Sequence, residues 1–210
     1  MAEINLYLGC SLEAMKKMED NQYDLAIVDP PYGINYSGHK LFISKTNTKQ
    51  NRKYHKDKKW DRHRPSAEYF AELRRVSVNQ IIWGGNYFAD LLPASRGWCV
   101  WDKIQKDLDM SDGELAWTSF HSSLRIFVGG RHLLKGSIHP TQKPVALYSW
   151  LLDKYAKKGM KILDIHLGSG SIALACYDHG LDLDAWEIDA EYHAGAVARF
   201  EEHSRQVKLF

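Results

Sequence analysis

Residues 161–188, KILDIHLGSGSIALACYDHGLDLDAWEI, decide how this chain is read. Lys161 to Ile165 is a short, largely apolar run with strand character, and Gly168-Ser169-Gly170-Ser171 turns the chain. Ile172 to Tyr177 is apolar nearly all round, as a helix buried on every side must be. Asp184 to Ile188 then reads as another strand. Strand, tight glycine turn, helix and strand are the grammar of an α/β sheet.

The same grammar extends toward the N-terminus. Ile4 to Leu8, Tyr23 to Val28, Ile81 to Trp83, Trp98 to Trp101, Leu115 to Phe120 and Leu124 to Val128 are expected strands. YDLAIV (23–28) is too short and too evenly apolar for anything but a strand covered on both faces. Helices are expected from Ser11, as cap of a face made by Leu12, Met15 and Met18, from Ser66 to Arg75, from Pro144 to Lys157, and from Ala190 to Phe200. The fold class is therefore α/β, a doubly wound, mostly parallel sheet with helices on both faces. One domain is expected over residues 1–210, with a basic loop at about 36–65 and a less regular stretch at 103–136 that suits a small target-recognition insertion. Sites in such sheets sit at the carboxyl ends of strands. Two ends stand out, Asp29-Pro30-Pro31-Tyr32 and Asp164 to Gly170.

Composition narrows the class further. With 210 residues, 44% hydrophobic and 26% charged, the chain can build a core, and disorder, collagen and coiled coil are excluded. No run approaches the roughly 20 apolar residues that a membrane helix needs, and the N-terminus shows no secretory pattern. Cys10, Cys99 and Cys176 are scattered and odd in number, which disfavours a disulfide framework or zinc site and fits a reducing cytoplasm. The histidines show no metal-ligand spacing, so no metal is expected. The net charge of +2 hides an asymmetry: Lys40 to Arg64 carries +8, leaving −6 for the rest. That segment is either a solvated surface loop or a docking site for a polyanion, with Lys49, Arg52, Lys53, Lys56, Lys58, Lys59 and Arg62 as the candidate contacts.

The two strand ends suggest chemistry. Glycines at 168 and 170 allow close backbone approach to a ligand, and Glu187, seventeen residues past Gly170, ends the next strand where an acid suits ribose hydroxyls. Residue 173 is alanine and no Gly-Lys-Ser/Thr follows, so neither the dinucleotide fingerprint nor a phosphate loop is present. A plain flexible turn and the site of a nucleoside cofactor without a phosphate chain both remain open. In Asp29-Pro30-Pro31-Tyr32 the prolines stiffen the backbone and leave carbonyl acceptors beside an aromatic plane. Those acceptors suit an amino group on a flat ring, while a strand-terminating turn would use the same residues.

Asp29 to Tyr32 resembles the catalytic motif of the amino-methylating DNA methyltransferases. Asp164 to Gly170 is similar to their S-adenosylmethionine motif, and His139-Pro-Thr-Gln-Lys-Pro144 to the motif just upstream of it. Ile81 to Phe88 and Gly97 to Lys103 resemble the phage and prophage adenine-specific type, and the motif order is that of the β group, found in restriction-modification systems. The resemblance implies S-adenosyl-L-methionine as cofactor, double-stranded DNA as partner, and transfer to the N6 amino group of a flipped adenine. It assigns Asp29 and Pro30 to hold the amino group, with Pro31 between them and Tyr32, which stacks on the base. Toward the cofactor it assigns Cys10, Asp29, Thr141, Lys143, Asp164, His166, Gly168, Ser169, Gly170 and Glu187. Two positions depart from the pattern: His166 stands where the family usually has Phe, and Cys10 where it commonly has Asp, and both bear on cofactor affinity.

Cytosine-N4 methylation is the nearest alternative, its enzymes more often carrying Ser before Pro-Pro-Tyr. RNA or amide methylation, a non-catalytic DNA-binding protein and a small-molecule enzyme are the others. A homodimer is compatible with a recognition region this short.

Overall fold

The centre of the molecule is β2 (Tyr23–Val28), whose residues are buried except for half-buried Asp24. It pairs in parallel with β3 (Ser77–Trp83) on one side and with β7 (Lys161–Asp164) on the other. Both faces are covered, which is why its sequence shows no alternation. The computed structural model describes residues 2–34, 61–105, 111–130, 133 and 141–206.

The remaining strands are β1 (Ile4–Leu8), β4 (Trp98–Asp102), β5 (Gly113–Thr118), β6 (Arg125–Val128) and β8 (Asp182–Glu187). The helices are α1 (Ser11–Met15), α2 (Ala67–Val76), α3 (Val145–Tyr155), α4 (Ser171–His179) and α5 (Ala190–Arg205), with a short 3-10 turn at Gly85–Tyr87. Sheet order is β1-β8-β7-β2-β3-β5-β4-β6. Only β5 runs against the others, antiparallel to both β3 and β4. Within the stretch 103–136, β5 and β6 are therefore strands of the main sheet.

Helices cover both faces, as expected from the sequence. On one, Leu147 and Leu151 of α3, Ile172 and Ala173 of α4 and Ala196 of α5 pack with Leu25, Ile27, Ile81 and Trp83. On the other, Met15 of α1 and Tyr69, Phe70, Leu73 and Val76 of α2 pack with Ala26, Val28, Ile82 and Leu163. Successive β2 residues thus feed opposite layers, the period-2 rule of a strand. Each fully buried Leu or Ile contributes about 1.5–3 kcal/mol of transfer free energy. Ile172, Ala173, Leu174, Ala175 and Cys176 of α4 are all buried, so that helix shows no polar stripe.

Three local expectations need correction. α1 starts one residue early: Cys10, in extended backbone, is its N-cap, and Ser11 is the first helical residue. The chain is held there by Gly9 N–H donating to the Glu187 carbonyl at 2.9 Å. α3 starts one residue late: Pro144 is its N-cap, and Val145 is the first helical residue. β3 begins at Ser77, directly after α2, and not at Ile81. Ser66, the expected start of α2, is its N-cap, its hydroxyl accepting from Tyr69 N–H at 3.3 Å. Among the described residues no helix is long and apolar enough to cross a membrane, and Cys10, Cys99 and Cys176 are all free.

Candidate active site

Parallel strands β1, β8, β7 and β2 are neighbours, so their carboxyl ends emerge together. A cleft of about 270 Å³ opens there. Asp29, from the end of β2, and Gly168, from the turn after β7, both line it, although 139 positions separate them. Pro31, Thr141, Lys143, His166, Ser169 and Glu187 line it as well. Cys10, Pro30, Tyr32, Asp164 and Gly170 do not; the wall at Cys10 is made by its neighbours Gly9 and Ser11.

The glycine turn is built by backbone donors. Gly168 N–H donates to Glu187 Oε2 at 2.8 Å, and Asp189 N–H to Oε1 at 2.9 Å. Burial pushes the Glu187 carboxyl above its ordinary value, against those two donors. Gly168 (φ 53°) and Gly170 (φ 73°) are both left-handed. A β-carbon on Gly170 would sit 3.0 Å from Ala196 Cβ of α5. Its close approach is therefore to a helix, which corrects the expectation that it faces a ligand. Arg199 of α5, which nothing in the local sequence singles out, donates to the Ser169 carbonyl and to Ser171 Oγ, both at 2.9 Å. Asp164 lies beneath the turn, accepting from His166 N–H at 2.9 Å. Burial pushes its carboxyl up to about 8, with Asp29 and Glu187 adding to the rise. His166 Nε2 is 3.0 Å from Tyr69 OH of α2, and burial pushes the imidazole down to about 4, so the ring is neutral near pH 7.

Around Asp29 the contacts are charged. Tyr32 OH donates to Asp29 Oδ1 at 2.7 Å, and Lys143 Nζ donates to Oδ2. Burial pushes the Asp29 carboxyl upward while Lys143 opposes that shift. Lys143, 3% exposed, keeps its proton because two carboxylates, Asp29 and Glu114, outweigh its own burial. Its ammonium also lies 5.2 Å from the Trp83 ring centroid. Glu114, on β5, was not foreseen: nothing in GELAWT marks it, since its partners Lys103 and Lys143 come from two other segments.

Tyr32 is packed as well as bonded. Its ring stacks on Tyr87 with centroids 4.7 Å apart and planes 14° from parallel. A β-carbon on Gly84, at φ 70°, would lie 2.1 Å from Tyr32 Cε1. Gly84, within the Ile81 to Phe88 stretch, is thus where Tyr32 is seated.

Of the candidate nucleic-acid contacts, Arg62 is described and exposed. Lys49, Arg52, Lys53, Lys56, Lys58 and Lys59 lie outside the described residues, as does His139. The segment's far boundary joins the site: Asp61, 2% exposed, accepts from Gly33 N–H at 2.9 Å. Arg64 forms a two-armed ion pair with Asp90 at 2.6–2.7 Å and donates to the Tyr87 carbonyl at 3.1 Å.

The arrangement places hydrogen-bond acceptors at one end of a cleft whose other wall is a glycine turn with a fixed acid. The family pattern N6_N4_Mtase, a DNA methylase, matches residues 94–198. Solved structures similar to the chain include the M1.HpyAVI–SAM complex, at 21% identity and TM-score 0.60, covering 93% of this chain and 99% of that one. The cytosine-N4-specific PvuII DNA methyltransferase is similar at 12% identity and TM-score 0.63, covering 97% and 91%. A putative DNA modification methylase from Thermus thermophilus, TTHA0409, complexed with S-adenosyl-L-methionine, is similar at 13% identity and TM-score 0.61, covering 97% and 95%. At these identities the likeness speaks for the fold. No curated protein matches the chain.

Proposed function

The chain belongs to the N6/N4 DNA methylase family, and from that premise we propose that it methylates the N6 amino group of an adenine turned out of DNA, with S-adenosyl-L-methionine as donor. The observation that carries this reading is the shared cleft: Asp29 and the Gly168 turn line one cavity. The turn, with Gly168 N–H pinned to Glu187, fits an adenosine-bearing group. Among the described residues its walls present a carboxylate where ribose hydroxyls need acceptors, and no cluster of cations for phosphates.

In this reading Glu187, Gly168, Thr141 and His166 would hold the cofactor. Bound there, S-adenosylmethionine would supply an electrophilic sulfonium methyl to the amino nitrogen, with the C–S electron pair left on sulfur. Asp29 accepts a hydrogen bond from the target amine, orienting the nitrogen lone pair, and is the nearest group to take the proton that the nitrogen sheds. The resemblance assigns the second acceptor to the Pro30 carbonyl, in a backbone that proline keeps stiff, although Pro30 lies outside the cleft lining. Tyr32 braces Asp29 through its hydroxyl. Its ring, already covered by Tyr87 on one side, offers at most its other face to a base. The adenine must leave the duplex, because a methyl held in a pocket cannot reach a stacked base.

The test is tritiated methyl transfer to duplex DNA followed by nucleoside analysis. N6-methyladenine is the expected product; N4-methylcytosine would overturn the base assignment, and no transfer the whole reading. Asp29→Ala should lower kcat by about 10²–10⁴-fold while DNA binding persists; retained transfer would remove Asp29 from its role.

A further inference from the structure

The charges at Asp29 do not end at Lys143. They run away from the cleft in the order Tyr32, Asp29, Lys143, Glu114, Lys103, from the end of β2 to β5 and the end of β4. Lys143 Nζ donates to Asp29 Oδ2 and lies 3.1 Å from Glu114 Oε2. Glu114 Oε1 meets Lys103 Nζ at 2.7 Å. Two carboxylates and two ammonium groups make this array neutral overall. Among the described residues Glu114 Oε2 is buried and its contact is the Lys143 ammonium, without an aligned hydrogen bond. At 3.1 Å that contact is longer than an aligned charge-assisted hydrogen bond, so the oxygen can still draw Lys143 closer.

A buried ammonium cannot be left without a carboxylate; breaking such a pair on one side is strongly destabilising. Any amine that docks on Asp29 competes with Lys143 for the same oxygens. We propose that Glu114 is a positioning residue for methyl transfer: it receives the Lys143 ammonium when the substrate amino group displaces it from Asp29. Glu114 Oε2 is the acceptor kept in place for that transfer, and Lys103 on the other oxygen anchors the carboxylate. In the resting site Lys143 is shared by both carboxylates; in the loaded site Glu114 keeps it alone, and Asp29 becomes available without exposing a bare cation. This inference rests on Asp29 being the acceptor for the target amine.

The groups facing this array among the described residues are Asp29, Tyr32, Lys103, Glu114, Lys143, Tyr148 of α3 and Asp164 of β7. In the full-length protein, Glu114→Gln removes the waiting charge and keeps the shape. It should lower kcat about tenfold or more with KM for both substrates within about twofold, the mark of a group that matters after binding. Both limbs of the kcat–pH profile should move to lower pH, since loss of a neighbouring negative charge favours ionised Asp29 and neutral Lys143. Wild-type kcat and profile overturn the proposal; so does a lower kcat with an unmoved profile, which a purely structural role would give. Asp29→Asn assayed alongside separates the two readings. If it still transfers methyl, the assignment of Asp29 fails; if it is dead while Glu114→Gln is normal, only Glu114 loses its role. Should Glu114→Gln not fold, Lys103→Gln replaces it: without that lysine the Glu114 carboxyl titrates higher and the acidic limb moves up. An unmoved limb there overturns the proposal equally.

Discussion

Gly84 works through an atom it lacks. Its φ of 70° disfavours any side chain, and a β-carbon would lie inside contact distance of the Tyr32 ring. Gly84→Ala should displace that ring and loosen the Tyr32–Asp29 hydrogen bond. The left-handed backbone alone costs about 1–2 kcal/mol, so a lower melting temperature together with reduced kcat is expected. Wild-type values of both would show that Tyr32 tolerates another seat. Asp164 makes a prediction about pH. Its folded pKa, about 8, is raised above the ordinary carboxyl value of 3.8. A raised value means that its contribution is fully present below about pH 4 and is lost as pH rises through about 8. Asp164→Asn, neutral at every pH, should therefore gain in melting temperature over wild type as pH climbs from 4 to 8. The gain is roughly 2–4 °C per kcal/mol for a chain of this size. A pH-independent difference in melts would mean that Asp164 is not a buried neutral acid. Neither effect was visible in the sequence, where Gly84 belonged to the Ile81 to Phe88 resemblance and Asp164 was assigned toward the cofactor.

At the scale of elements, most strands and helices were legible because their determinants lie within a few residues. Ser66 caps α2, and Glu68 and the Arg74-Arg75 pair sit at the ends that the helix dipole favours. Asp189 caps α5 through Glu191 N–H and Tyr192 N–H at 3.0 and 3.1 Å. Asp189→Ala should cost about 1 kcal/mol, seen as a small drop in melting temperature; an unchanged melt would show that the cap is redundant. The expectations that failed were those where distant contacts decide. Ser11 looks like a cap, but the pairing of Gly9 with β8 sets where the chain enters α1. Pro144 looks like the first residue of α3, yet in extended backbone it is the N-cap.

Across the whole molecule, charge is divided unevenly, with +8 between Lys40 and Arg64. Replacing Lys53, Lys56, Lys58 and Lys59 with Gln should weaken DNA binding for every sequence alike. It should also flatten the slope of binding against salt by up to about 0.9 for each phosphate no longer neutralised. Unchanged salt dependence would assign this segment to ordinary surface. The boundary of that segment is tied into the site, since Arg64 joins Asp90 and the carbonyl of Tyr87, the residue on which Tyr32 stacks. What the amino-acid sequence determined by itself was local: the β2 and β7 strands, the glycine turn, the existence of α2 and α5, and the two strand ends that meet at the cleft. These follow from backbone preference and apolar periodicity, which act over a few residues. Tertiary structure alone decided that β5 lies reversed between β3 and β4, and that Lys143 stands between Asp29 and Glu114. Ion pairing and packing depend on distance in space, and residues 29, 114 and 143 become neighbours only once the sheet has assembled.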